Sequence, residues 1–455
     1  MHKYILYQKE VLMTQNSLKN ENIAITLIKF CTPLILTGIL QQLYNWADAF
    51  IVGNVNGETA LAAIGAVGSI SGFYLMAVTG FTTGLSILIA QKYGGGQHED
   101  IHRILSTFVI IIGAVVLVIS TAGFCLSDFV LKIMDTPSDI FHDSEMYLKI
   151  ICIGIPFLAI YNLYSAAIRA VGDSHAPFLA VLVSSAVNIV LDILFVAVFR
   201  WGVTGAAVAT IIAQISMTIF TIVYGVKKHS VIRFSISSNM FCRDIIGKSV
   251  SFGAPPMVQS CINSFGNLIL QGFMNGFGTA TVAAITTAYR VDCIALLPVI
   301  NLGSGISTLV AQSYGAKDNR RAWKVFKVGT VMMTVVAAAL TLIVVLFGGK
   351  MIAIFGAGNE VVEIGTNFFR SIAMFYVIYG LAMACRGYVE GVGKVFYSSI
   401  AGIAVLGVRI VLSYLLKGTF DNMVIAYAEG ISWVVLFALF AVKAVVQNKR
   451  LKQQE

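Results

Sequence analysis

The chain has 455 residues, 58% of them hydrophobic and only 12% charged, a composition that excludes an ordinary soluble globular domain. Its net charge of +9 would suggest a nucleic-acid partner in a soluble protein, but in so apolar a chain it reads as basic loops beside anionic headgroups. Seven cysteines, at 31, 125, 152, 242, 261, 293 and 385, show no close pairing, so no disulfide framework, zinc site or redox site follows.

The first 22 residues lack a small-residue cleavage site after a short apolar core, so no removable signal peptide is expected; Met13 is an alternative start to Met1. From Ile23 to Val442 the sequence divides into about twelve apolar segments of roughly 20 residues joined by short polar loops. Runs such as 104–126 and 204–226 carry no formal charge, and 325–347 carries only Lys327 near its start. They lack the period-2 alternation of a membrane β-barrel, which leaves an all-α membrane bundle. Most Lys and Arg fall in the tails and even-numbered loops, densest at 227–248 and 317–327. The positive-inside rule then places both termini in the cytoplasm of an inner-membrane, multi-pass protein.

In the first span, Gln41, Tyr44 and Asp48 follow i, i+3, i+7 spacing and share a helix face, with Pro33 about four turns below as a bend. The second loop contains HEDIH at 98–102, formally the spacing of a zinc protease. It lies in a polar loop beside three glycines, without a third ligand, and is set aside. The fifth span holds Asn188 and Asp192 four apart, on one face of an otherwise apolar stretch. An ionisable side chain at mid-membrane costs roughly 2.5–3.5 kcal/mol, so such residues point to function. Two carboxylates facing each other at low dielectric need a shared proton or cation; structural neutralisation by Lys149 or Arg409 is the competing expectation.

Further along, Arg290 and Asp292 open the eighth span and are expected to form a local structural pair or to snorkel to the interface. GVGK at 391–394 fails as a phosphate loop, which would need Gly at Tyr388 and Ser or Thr at Val395. Arg409, in the eleventh span, is either a cavity group that neutralises an anion or repels cations, or a satisfied structural arginine. Glu429 in the last span is a weaker candidate.

The halves repeat at a constant offset of 221 residues, which pairs AQKYGG at Ala90 with AQSYGA at Ala311, Gly84 with Gly305, Gly172 with Gly393, and IVL at Ile189 with IVL at Ile410. Each half holds an even number of spans, so both enter from one side and the pseudo-twofold axis runs along the membrane normal. The expected layout is a cytoplasmic tail (1–22), an N-lobe of six helices (23–226), a cytoplasmic linker (227–247), a C-lobe of six helices (248–443) and a cytoplasmic tail (444–455). The repeat places Ile269, Arg409 and Ser413 opposite Asp48, Asn188 and Asp192. The acids are therefore not demanded by the fold. Two lobes rocking about a central cavity suit a secondary transporter; a channel filter, or a nucleophile with its base, is not evident.

PLILTGILQQLYNWADAFIVGNV, AQKYGG, AQSYGA, RAVGDSHAP and the double repeat together resemble the multidrug and toxic compound extrusion (MATE) family over nearly the whole chain. The resemblance implies a V-shaped cavity and antiport of organic cations or drugs against sodium ions or protons, with no enzymatic activity and no bound cofactor. It also implies an N-lobe site for sodium or a proton at Asp48, Asn188, Asp192 and Thr210. Gln41, Tyr44, Tyr147 and Asn162 would be its polar neighbours, and Pro33 the bend that follows occupancy. Spans seven and ten carry no acid in their cores, unlike relatives with a C-lobe site. Partners are expected to be amphiphilic or cationic small molecules and membrane lipid, with no nucleic acid and a monomeric state. A lipid-linked precursor or polysaccharide flippase is the alternative; it would call for a basic cavity, for which Arg409 is the one clear candidate.

Overall fold

The computed structural model describes residues 22–234, 243–355 and 358–453; both proposed starts, Cys242 and most of the N-terminal tail lie outside them. Twelve spans form two six-helix lobes. The first helix, Ile23–Gly94, contains spans 1 and 2, which meet at Gly57, whose φ of 83° and ψ of −172° leave helical geometry. Glycine occupies this left-handed conformation without a Cβ penalty. Spans 3 to 6 are His98–Cys125, Ser138–Ala170, His175–Val198 and Gly202–Lys228.

Span 7 is Arg243–Asn275, which has the length to cross but carries Pro255 and Pro256 and is the least apolar of the twelve. Span 8 is broken, Thr279–Ala295 followed by Leu297–Gly315 with a 42° bend, and so is span 10, Asn359–Ala373 followed by Tyr376–Gly391 with a 50° bend. Spans 9, 11 and 12 are Asn319–Ala353, Val395–Leu415 and Lys417–Gln453. Helix thus begins at Arg243, inside the expected linker, and continues to Gln453, beyond the expected end of the last span. The sequence pattern tracks lipid-compatible residues, whereas backbone hydrogen bonding carries a helix on into polar sequence.

The repeat becomes a set of reciprocal contacts between the lobes. Gln91 Nε2 donates to the Gly391 carbonyl at 2.8 Å, and Gln312 Nε2 donates to the Ala170 carbonyl at 2.8 Å. Each bond is the other shifted by the repeat offset. A Cβ on Gly94 would run into the Gln312 backbone, and one on Gly315 into the Gln91 backbone, so both AQxYG signatures need glycine where the main chains touch. Gly84 of span 2 meets the Phe252 carbonyl of span 7 in the same way. Toward the opposite face the lobes meet through aromatic edges, Phe73 with Phe265 at 5.8 Å and Trp46 with Phe355 at 6.0 Å.

Span 1 belongs to both lobes. Its first turns, Leu27, Phe30, Cys31 and Leu34, are buried with Val299, Leu302 and Ile306 of span 8 and Tyr388 of span 10. Its later turns pack within the N-lobe. Pro33 lies at the changeover; its carbonyl accepts from Thr37 Oγ1 at 2.7 Å. The helix passes through Pro33 with helical φ and ψ.

A candidate ion site in the N-lobe

Span 5 is positioned at its start by Asp173, whose Oδ1 accepts from the backbone N–H of His175 at 3.0 Å and of Ala176 at 3.3 Å. This cap satisfies helix-terminal donors that would otherwise be orphaned. Four turns on, Asn188 and Asp192 are both fully buried. Asp192 is the last α-helical residue before a π-helical stretch, Ile193–Val198, a distortion that accompanies functional sites in other helices. The sequence gives no periodic signal for it.

Asp48, from span 1, lies against Asp192, with Asn188 beside Asp192 and Thr210 of span 6 beside Tyr44. Tyr147 of span 4 closes the group and is 7% exposed. Asp48 Oδ1, both Asp192 oxygens, both polar atoms of Asn188 and Thr210 Oγ1 are buried, and none has a hydrogen-bond partner among the described residues. Leaving so many polar atoms unpaired costs about 1–3 kcal/mol each. Carboxylate, amide and hydroxyl oxygens form a hard-donor set that fits sodium, and the facing carboxyls equally fit a proton. Among the described residues no three His, Cys, Asp or Glu gather as metal ligands.

The other expected residues fall outside this group or at its edge. Gln41 is exposed and lies off the buried cluster. Asn162 Nδ2 donates to the Leu158 carbonyl of its own helix at 2.8 Å. Neither expected neutralising cation reaches the acids. Lys149 is bound to Glu145 at 2.7 Å and Arg409 to Glu429 at 2.8 Å. Arg409 also donates to Tyr289 Oη at 2.9 Å, so it is a satisfied structural arginine and not a free cavity cation. Glu429 faces Arg409 across two spans, a pairing that no local sequence pattern signals.

Arg290 and Asp292 do not pair. Asp292 is 5% exposed and accepts from the Tyr376 hydroxyl, whereas Arg290 is exposed and has no ion pair or hydrogen bond among the described residues. Two residues on a helix are about 200° apart, so one points into the lobe and the other out of it. At the rejected HEDIH sequence, His102 Nδ1 meets the Arg233 carbonyl at 3.2 Å and Asp100 pairs with Lys92 at 2.7 Å.

The MatE family model matches residues 33–194 and 255–415, one stretch in each lobe. The chain is 26% identical over 420 residues to the probable multidrug resistance protein YoeA of Bacillus subtilis, covering 90% of both chains. It is 21% identical over 416 residues to the multidrug export protein MepA of Staphylococcus saprophyticus, again covering 90% of each. A solved outward-facing multidrug resistance MATE family transporter of the MOP superfamily superposes with a TM-score of 0.89 at 19% identity, covering 96% of this chain and 98% of that one.

Proposed function

The chain belongs to the MatE family, a family of multidrug efflux transporters, and we propose that it is an antiporter exporting amphiphilic or cationic small molecules in exchange for sodium ions or protons. The observation that carries this reading is the set of unpartnered polar atoms on Asp48, Asn188, Asp192 and Thr210. Buried carboxylates with no protein cation against them need a partner from solution, and a partner that comes and goes is a coupling ion.

Span 1 supplies a route from that site to the lobe interface. Asp48 is on its later turns, Leu27 to Leu34 pack in the C-lobe core, and Pro33 lies between. In the proposed cycle, a proton or sodium ion arriving from outside neutralises Asp48 and Asp192, relaxes the N-lobe and releases the cargo. After reorientation the ion leaves to the cytoplasm and the recharged carboxylates favour a new cation. The Gln91 and Gln312 hydrogen bonds join the lobes at the face that the positive-inside rule assigns to the cytoplasm. In this reading the protein is a monomer of the cell membrane with both termini inside and no nucleic-acid partner.

Ethidium efflux from vesicles with an imposed sodium or proton gradient tests the proposal and names the ion. Asp48→Asn and Asp192→Asn each abolish gradient-driven export while the protein still inserts; undiminished efflux by both variants rules the site out.

A further inference from the structure

Between the end of span 7 and the first half of span 8 lies a cavity of about 570 Å³. Its polar lining is Asn275, Thr279, Thr286, Thr287 and Arg290, set among Val282 and Ala283. Arg290 stands eleven residues into the helix that begins at Thr279, about 16 Å along its axis. It lies in the first half of a broken span that runs on to Gly315. An arginine within a membrane span ordinarily has a carboxylate or carbonyl partner. Here the nearby acids are engaged elsewhere, Asp292 with Tyr376 on the far side of the helix and Glu429 with Arg409.

Each polar side chain in the cavity can donate a hydrogen bond, and Arg290 can only donate. No hydrogen bond among the described residues uses the Arg290 guanidinium or the Thr286 or Thr287 hydroxyls, and no acid lines the wall. Asn275 Oδ1 already accepts from Gln271 Nε2 at 3.1 Å, which leaves the Asn275 amide hydrogens as donors. A planar guanidinium with convergent hydroxyl and amide donors matches a phosphate or carboxylate and repels an organic cation.

We propose that this cavity binds the anionic group, phosphate or carboxylate, of an amphiphile held between spans 7 and 8. The tail then lies along Val282 and the apolar bilayer-depth surface, and the charged head is read by Arg290. As a binding site it stands independently of the export reading; as a site for cargo it rests on that reading and widens it from cations to anionic and zwitterionic amphiphiles. The same headgroup chemistry can come from a bilayer lipid or from a free amphiphile.

The test titrates the full-length chain in dodecyl maltoside with dodecyl phosphate and, separately, dodecyltrimethylammonium. Arg290→Gln weakens dodecyl phosphate binding about tenfold or more, whereas Arg290→Lys, which keeps the charge without the fork, stays within about threefold of the wild type. Binding of the cationic probe does not fall in either. Ala283→Phe, which fills the cavity and leaves Arg290 in place, also removes dodecyl phosphate binding and covers the case in which Arg290→Gln does not fold. A second arm follows phosphatidylglycerol retained by the purified protein, using native mass spectrometry.

Arginine-dependent binding of dodecyl phosphate without lipid identifies a free amphiphile as ligand, and arginine-dependent retention of phosphatidylglycerol alone identifies a lipid headgroup; either supports the site. If neither arm responds to Arg290→Gln or Ala283→Phe, or if Arg290→Gln weakens both probes alike, the proposal is overturned. Ethidium efflux that depends on Asp48 is unaffected by such a failure, so the two readings fall separately.

Discussion

The two lobes share a backbone frame and treat buried charge in opposite ways. In the N-lobe, Asp48 and Asp192 lie together with no basic residue beside them, and Asp48 Oδ1 and both Asp192 oxygens are without partners among the described residues. In the C-lobe, Glu429 is paired with Arg409, which occupies the repeat position of Asn188, and Tyr289 bonds to both. Asp292 has the Tyr376 hydroxyl. The C-lobe pair is balanced within the protein and holds helices together, whereas the N-lobe pair is balanced only by something bound. The inversion extends to the loops. Arg169 and Asp173 stand opposite Glu390 and Lys394 in the repeat, so the same turn is built with reversed charges.

The comparison breaks most readily at the N-lobe pair. If Asp48 and Asp192 act as one site, Asp48→Asn with Asp192→Asn lowers gradient-driven efflux no further than either alone, each reducing it by about 100-fold or more, as expected of residues acting as a unit. Additive losses would mean two separate sites. In the C-lobe the large effect is on stability. Glu429→Gln leaves Arg409 buried without its counter-charge and costs about 3–5 kcal/mol, whereas replacing both by Leu and Met is close to neutral. A thermal-unfolding series in detergent distinguishes the two.

A smaller effect sharpens the symmetry. Gln91→Leu and Gln312→Leu each remove one inter-lobe hydrogen bond, worth about 1 kcal/mol, and raise the rate of thiol labelling at that face by about fivefold for each. Unequal effects would show that the reciprocal geometry is not reciprocal in energy. The smallest concerns Asp173. Burial alone would raise its pKa, but His229 at 2.9 Å and Lys228 at 3.0 Å hold it below the usual carboxylate range. A depressed folded pKa contributes stability that is present above the unfolded value of about 3.9 and lost as pH falls through the folded one. The difference in Tm between wild type and Asp173→Asn is therefore present at neutral pH and disappears only in strong acid.

Much of the N-lobe site is legible in the sequence, because a carboxylate within an apolar run has few inexpensive explanations and helical spacing places Asn188 and Asp192 on one face. Thr210 and Tyr147 are not legible in that way. Hydroxyl residues are common in membrane helices, and only the resemblance to the MATE family singled them out. Arg290 and Arg409 show where such reading stops. Both are cations in apolar spans, and each left two readings open; Arg409 is bound to Glu429, and Arg290 does not pair with Asp292, which accepts from Tyr376. Pairing across spans depends on which helix faces meet, and no local pattern encodes that.

The sequence by itself determined the twelve spans, the duplicated lobes and the asymmetry of their charge, because hydropathy, repeat register and the cost of burying an acid are properties of composition and spacing. Only the tertiary structure decided which charges balance one another. It brought span 1 against both lobes, joined the two AQxYG signatures through reciprocal glutamine bonds, and turned Asp292 inward and Arg290 out. Those outcomes rest on long-range packing of helix against helix, in which a rotation of half a turn exchanges a buried pair for an open site.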